Sequence, residues 1–297
     1  MQKIRYINPR GEVVEVSPFV PPYIFESVSG IGAVDVTSNI QTPAGMDGAL
    51  YYGLRLNDRE VTLNLHVYGD ERRSMYENRS KLIRILGSAL NRSGEKGKLF
   101  YENDYGRWWI PAVVRQGPRE NGRRLRNYFP MQIVFYCPDP AWRTETATVN
   151  RLAYLSGGFK FPLNIPAVNQ LTPGIRFGSR GYVATIVNDG DVQAPIHVEI
   201  TGTATRPRIE LVKTGEFLAV NRELAAGDRL TISTERGAKL ATIVRATGTI
   251  ENAVGAIDPQ STWFQLQPGP NELSYSSGDD TTTATVIIRT FSRFGGV

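Results

Sequence analysis

The sequence predicts a mainly β protein, with an α+β domain carrying one flanking helix followed by an all-β domain. Three observations carry this reading. Short segments of alternating apolar and polar residues recur along the chain. One segment, between Asp70 and Gly94, has helical periodicity, and turn-forming residues punctuate the second half at short intervals. A chain of 297 residues accommodates two domains of about 150 residues each.

The elements follow in order. KIRYI (3–7) and EVVEV (12–16) alternate around the turn Asn8-Pro9-Arg10-Gly11, which is a hairpin pattern. Pro18, Pro21 and Pro22 then interrupt regular structure. Residues 23–28 and 32–36 read as short strands, and 39–53, containing TPAGMDGALYYG, as a long projecting loop. REVTLNLHVY (59–68) sets Val61, Leu63, Leu65 and Val67 on one side and Thr62, Asn64 and His66 on the other.

A helix is expected over about 71–92, with Met75, Leu82, Leu86 and Leu90 on its apolar face and Ile83 and Ala89 beside them. Asp70 is the expected N-cap, with Glu71 in the first turn, and Gly94 is the expected stop after Arg92. Strands follow at 97–101, 107–116 and 126–136, and CPDPAW (137–142) closes the domain because two prolines cannot extend a strand. The expected division is a first domain at 1–142, a linker at 143–169 that packs rather than dangles, and a second domain at 170–297.

In the second half, 181–188, 196–202, 207–211, 217–220, 229–234, 239–246, 263–266, 271–275 and 283–290 all read as short strands. Turn residues such as Asn188-Asp189-Gly190 and Ala226-Gly227-Asp228 separate them. Strands at roughly 8–12-residue spacing without a helical stripe mean a β-sandwich or barrel.

Composition bounds the function. With 41% hydrophobic and 21% charged residues, the chain is of ordinary globular type, not collagen-like, coiled-coil or disordered. The net charge of +5, from 34 basic and 29 acidic residues, is small for this length and does not demand a nucleic-acid partner. A single cysteine, Cys137, excludes an internal disulfide and a four-cysteine zinc site. No apolar run approaches the roughly 18 residues of a membrane span. The first residues lack the apolar core of a signal peptide, so the expectation is a soluble chain not addressed for secretion.

No residue set forms an evident catalytic centre. The two histidines, His66 and His197, stand far apart and without neighbouring cysteines, and read as structural or surface residues. Residues 174–181 contain several glycines but lack the lysine and the following helix of a phosphate loop, and read as a turn. Asp279 and Asp280 are adjacent in a polar turn, a spacing that matches neither a glycosidase pair nor a cation loop. Cofactors and metals are therefore expected to be absent.

Two features remain as candidates for a protein interface. Arg115, Arg119, Arg123, Arg124 and Arg126 form a basic run with Glu120 as its one acid, either a solvated hairpin tip or a surface that meets DNA or an acidic partner protein. Trp108 and Trp109 lie next to each other in a strand, so one should enter the core and the other face outward; Tyr51 and Tyr52 pose the same choice. Trp142 reads as a plug at the domain boundary, and Trp263-Phe264 as part of the second core.

The order of segments resembles the phage distal tail proteins, also called phage tail family proteins, of siphophages, prophages and tailocins. The resemblance rests on the early hairpin, REVTLNLHV, DERRSMYENRSKLIRIL, GKLFYENDYGRWWIPAVV and the ending FYCPDPAWR. It continues through Ile186 to Asp191, Pro195, Ile200-Thr201-Gly202, Gly227-Asp228, Ser261-Thr262-Trp263-Phe264 and Pro268-Gly269-Pro270-Asn271. It implies a non-catalytic structural protein of the virion tail tip or baseplate, made in the host cytoplasm. The N-terminal domain would form a hexameric ring around a channel for DNA, and the C-terminal domain would be a galectin-like β-sandwich. Implied partners are further copies of the chain, the tail tube protein, the hub or tail-associated lysin, and a receptor-binding or side-fibre protein. DNA would pass without specific binding, and no membrane-spanning segment is implied. The alternatives are a carbohydrate-binding baseplate module, for which Tyr182 or Tyr275 would offer an exposed platform, and a glycan hydrolase, which needs two facing carboxylates.

Overall fold

The computed structural model describes residues 2–45, 47–87, 94–156, 179–278 and 284–297. The chain divides into two units, Met1–Glu145 with Phe294–Val297, and Thr146–Arg293. Residues 174–178 of the turn expected at 174–181, the turn at Asp279-Asp280, residues 157–169 of the expected linker and the last turn of the expected helix lie outside the described residues, while 179–181 are strand rather than turn.

In the first unit, alternation becomes strands. They are β1 (Lys3–Ile7), β2 (Val13–Val16), β3 (Tyr23–Ser29), β4 (Val36–Gln41), β5 (Leu50–Leu56) and β6 (Arg59–Tyr68). After helix α1 (Arg72–Leu86) come β7 (Gly97–Glu102), β8 (Arg107–Glu120), β9 (Tyr128–Cys137) and β10 (Trp142–Thr144). The antiparallel path runs β2-β1-β7-β8-β9-β6-β3, with β10 pairing to β8. A parallel bridge between Ser17 and Ile24 links the two ends of this path, so the strands close on themselves. Closure leaves the core-facing side chains of β6, from Val61 to Val67, completely buried or nearly so.

Helix α1 begins one residue later than expected. Glu71, not Asp70, is the N-cap. Ser74 Oγ accepts the Glu71 N–H at 3.2 Å and donates to the Glu71 carbonyl at 2.9 Å, which satisfies groups the helix cannot pair internally. The described helix ends at Leu86, with Gly87 already extended, rather than running on to Gly94. Met75, Leu82, Ile85 and Leu86 are buried against β6, β8, β9 and β2. Ile85 takes the place expected of Ile83, which is only half-buried.

Two other expectations change. Residues 32–36 are not a strand; pairing starts at Val36. The expected loop at 39–53 is largely a β-hairpin of β4 and β5, with Ser38 opposite Leu54 and Ile40 opposite Tyr51. Trp142 is not a boundary plug but a fully buried member of the first core, with its ring centroid 6.1 Å from that of Tyr101.

Arg59 fixes the unit internally. It is buried, and its guanidinium donates to the carbonyls of Pro140 at 2.9 Å, Gly32 at 2.7 Å, Gly30 at 2.6 Å and Gly295. The last residues of the chain therefore return to the first unit, where Phe294 and Val297 pack on its core. Gly30 has φ +83°, and a Cβ there would stand 2.0 Å from the Glu60 carbonyl oxygen, so only glycine lets the chain pass.

The second unit contains β11 (Thr148–Ser156), β12 (Ser179–Gly181), β13 (Val183–Asn188), β14 (Ile196–Thr201), β15 (Ala204–Thr205), β16 (Arg208–Leu211) and β17 (Glu216–Ala219). It continues with β18 (Glu223–Leu224), β19 (Arg229–Ser233), β20 (Leu240–Val244), β21 (Ile250–Asn252), β22 (Gly269–Ser276) and β23 (Thr285–Thr290). One sheet has the order β12-β11-β23-β14-β19-β20-β21 and another β13-β22-β16-β17. Val198, Ile232, Ile243 and Ile288 of the first share a core with Ile186, Ile209, Leu218 and Leu273 of the second. Residues 263–266 are not a strand. Only Leu266 bridges, to Ala194, while the Thr262 N–H donates to the Phe217 carbonyl at 2.8 Å. Phe264 is buried and Trp263 half-buried beneath Lys239, 5.5 Å from the ring centroid.

Candidate protein interface

The interface residues expected from the sequence separate into three settings. Tyr51 and Tyr52 lie on β5 and are 61% and 59% exposed, so neither enters a core. The register shifts by one residue between Tyr51 and Leu54, so Val36 and Ile40 of β4 share one side with Tyr51, Leu54 and Leu56, while Leu50 and Arg55 lie on the other. A two-stranded ribbon has no second layer of its own. Val36, Ile40, Leu50 and Leu54 accordingly remain exposed along with the tyrosines. This concentration of apolar side chains on one hairpin exceeds the scattered surface residues of an ordinary domain.

The tryptophan pair occupies opposite sides of β8. Trp108 is buried between the rings of Tyr101 and Tyr105, at 6.4 and 6.0 Å. Trp109 is half-buried, donates its indole N–H to the Thr144 carbonyl at 3.1 Å, and lies under Lys98 and Arg143 at 5.0 and 4.9 Å. The structure therefore uses both tryptophans within the first unit.

The basic run also divides. Arg115 forms an ion pair with Glu60 on the sheet, and Arg119 stands opposite Gln132 in the β8–β9 ladder. Arg123, Arg124 and Arg126 are exposed in the turn between those strands, beside Leu125, itself 61% exposed. This turn reaches α1: Arg124 donates to the Tyr76 hydroxyl, and Asn127 donates to the Asp70 carbonyl at 3.4 Å. Tyr76 and its basic helical neighbours were not singled out from the sequence. The signal was present in Arg72, Tyr76, Ser80 and Arg84, which repeat every four residues on the side of α1 away from Met75 and Leu82.

No catalytic geometry competes with these surfaces. Among the described residues no group of three or more His, Cys, Asp or Glu is placed to hold a metal. His66 approaches Glu26 at 3.5 Å and His197 approaches Glu235 at 3.7 Å, in separate units. Burial pushes the Cys137 thiol up to about 12, so it is not a nucleophile in the folded protein. No described helix is long and apolar enough to cross a membrane. Tyr275 is buried beneath the partly exposed Tyr182, at 6.5 Å between ring centroids, so the two do not form an open sugar-stacking platform.

Residues 189–288 match the family model for the siphovirus-type tail component, C-terminal domain. The matched residues lie within the second unit. Whole-chain fold likeness points the same way. The crystal structure of SPP1 Dit, a hub adsorption apparatus protein of Gram-positive infecting phages, aligns with 99% of this chain and 99% of its own, at a TM-score of 0.66 and 14% identity. A chain of the phage P2 baseplate in its activated conformation with Ca aligns with 100% of this chain and 99% of its own, at a TM-score of 0.58 and 14% identity. A chain of the phage p2 baseplate with Sr aligns at a TM-score of 0.55 and 13% identity over 97% and 98% of the two chains. No curated protein matches the chain. The resemblance to phage distal tail proteins read from the sequence agrees with the family match over residues 189–288 and with the fold likeness.

Proposed function

We propose that this tail component is a ring-forming structural adaptor at the tip of a phage or phage-like tail, without catalytic activity. It joins the tail tube to the hub or tail-associated lysin, supports host-recognition proteins, and surrounds a channel through which DNA passes. The observation that carries this reading is fold likeness over both units to a hub protein, joined to the family match of the second unit. The β4–β5 hairpin supports self-association. Its apolar stripe lacks a covering layer in its own unit, and a neighbouring copy in a closed ring would supply one. The two sheets of the second unit, which share one core, support the galectin-like sandwich arrangement.

Light scattering across a dilution series, with negative-stain imaging of the largest species, tests the ring. The expected particle has a central channel and six times the 33.0 kDa mass of the chain. A 33.0 kDa monomer at every concentration, unchanged when the purified tail tube protein is added, would overturn the ring assignment.

A further inference from the structure

The outer side of α1 and the β8–β9 turn make one continuous basic surface. Its centre is Tyr76, which two guanidiniums approach, those of Arg72 and Arg124, at 6.0 and 5.8 Å from the ring centroid. Arg72 and Arg124 also hydrogen-bond the phenol oxygen and hold its pKa below the ordinary tyrosine value, Arg72 contributing most. Lys81 and Arg84 extend the groove along the helix, and Arg73 is tied to Glu77 at 3.1 Å. Among the described residues, neither Arg72, Lys81 nor Arg124 forms an ion pair with a carboxylate.

The turn is held rather than loose. The Leu125 N–H donates to the Tyr128 carbonyl at 3.1 Å and the Asn121 N–H to the Pro130 carbonyl at 3.2 Å, and Arg124 and Asn127 tie it to the helix. Arginines presented from a fixed turn lose less freedom on binding than free side chains. Exposed Leu125, the arginine stems and the edge of Tyr76 add apolar contact beside the charges.

We propose that this surface docks an acidic polypeptide segment of a partner protein, one that alternates carboxylate and apolar side chains. Guanidiniums bind carboxylates through two parallel hydrogen bonds, and Leu125 meets the apolar residues between them. Nucleic acid fits less well. The Tyr76 hydroxyl is already engaged by arginine, and Glu77 lines the groove where a phosphate chain would run. The inference concerns the charge of one surface and does not depend on ring formation.

The test uses the full chain and two fluorescein-labelled probes, a peptide of alternating Glu and Leu and a thymidine oligonucleotide of equal charge, followed by anisotropy at low salt. The peptide is expected to bind more tightly than the oligonucleotide. The double variant Arg72→Gln, Arg124→Gln is expected to weaken peptide binding by about tenfold or more. The charge-matched control Lys213→Gln, Arg222→Gln, in the second unit, is expected to leave it within about twofold. Thermal unfolding of each variant confirms that the exposed substitutions leave the fold intact. Tighter binding of the oligonucleotide, equal losses in both double variants, or binding of neither probe would each overturn the proposal.

Discussion

Two antiparallel strand pairs in the first unit differ in everything except their pairing. β6 and β9 run side by side over ten residues, and every second residue of β6 is buried. β4 and β5 also pair along their length, with one register shift, yet all of β4 is exposed and so is most of β5. The alternation LYYGLRL is no less apolar than that of many strands, but it has nothing within its unit to face. Hydrogen bonds alone contribute little net stability, and an isolated two-stranded ribbon is marginal in water. The first pair therefore holds the fold, and under the ring proposal a neighbouring copy covers the apolar residues of the second.

This contrast is breakable by substitution. The largest effect is expected in the buried pair: Leu65→Ala, at a fully buried position, should lower stability by about 2–5 kcal/mol. Urea unfolding followed by tryptophan fluorescence reads this, because Trp108, Trp109 and Trp142 all report on the first unit. A loss below about 1 kcal/mol would mean that β6 is not the core strand its burial indicates.

Arg59→Ala comes next. It leaves the carbonyls of Gly30, Gly32, Pro140 and Gly295 without their donor, a cost of about 3 kcal/mol. Iodoacetamide labelling of Cys137 should accelerate in this variant, since the thiol is reached only when the unit opens. Removing residues 294–297 should destabilise the same unit and be less than additive with Arg59→Ala, because both act on one set of contacts.

A smaller, pH-dependent effect is expected in the second unit. Asp228 accepts the N–H groups of Ala225 and Ala246, each at 2.9 Å, and a guanidinium N–H of Arg245 at 2.8 Å. The Ala225 hydrogen bond, then those from Arg245 and Ala246, hold its carboxyl below the usual range. An unfolded aspartate titrates near about 4, so this contribution is complete above that pH and is lost as pH falls through the lower folded value. Thermal midpoints measured between neutral and acid pH should fall less steeply in Asp228→Asn than in the parent chain. An unchanged slope would remove Asp228 from the acid response.

The smallest effect on stability should come from the hairpin. Tyr51→Ser with Leu54→Ser is expected to change unfolding by no more than about 0.5 kcal/mol while abolishing the ring in light scattering. Intact assembly of this variant would assign the exposed stripe to another partner.

The second-unit strands at 196–201 and 229–233 were legible in the sequence because each buries alternate residues against a single core. The helix was legible from Met75, Leu82 and Leu86, but its N-cap was not, because Asp70 and Glu71 both offer a carboxylate at the entry. The hairpin at 36–56 escaped notice because its glycine-rich tip and the register shift at Tyr52-Gly53 break the alternation of β5. Of the interface residues, Tyr51, Tyr52 and the arginines of the β8–β9 turn lie exposed, whereas Trp108 is buried because β8 turns that face toward the core.

By itself the sequence determined the element types, the binary pattern of the two cores and the resemblance to phage distal tail proteins, since these depend on residue order over short spans. Only the tertiary structure decided that Arg59 collects four carbonyls from three separated segments. Tertiary contacts also bring the β8–β9 arginines onto Tyr76 of α1. Both arrangements join residues far apart in the chain, where no local periodicity carries a signal, and each is selected by the need to satisfy or oppose charge once the strands have closed.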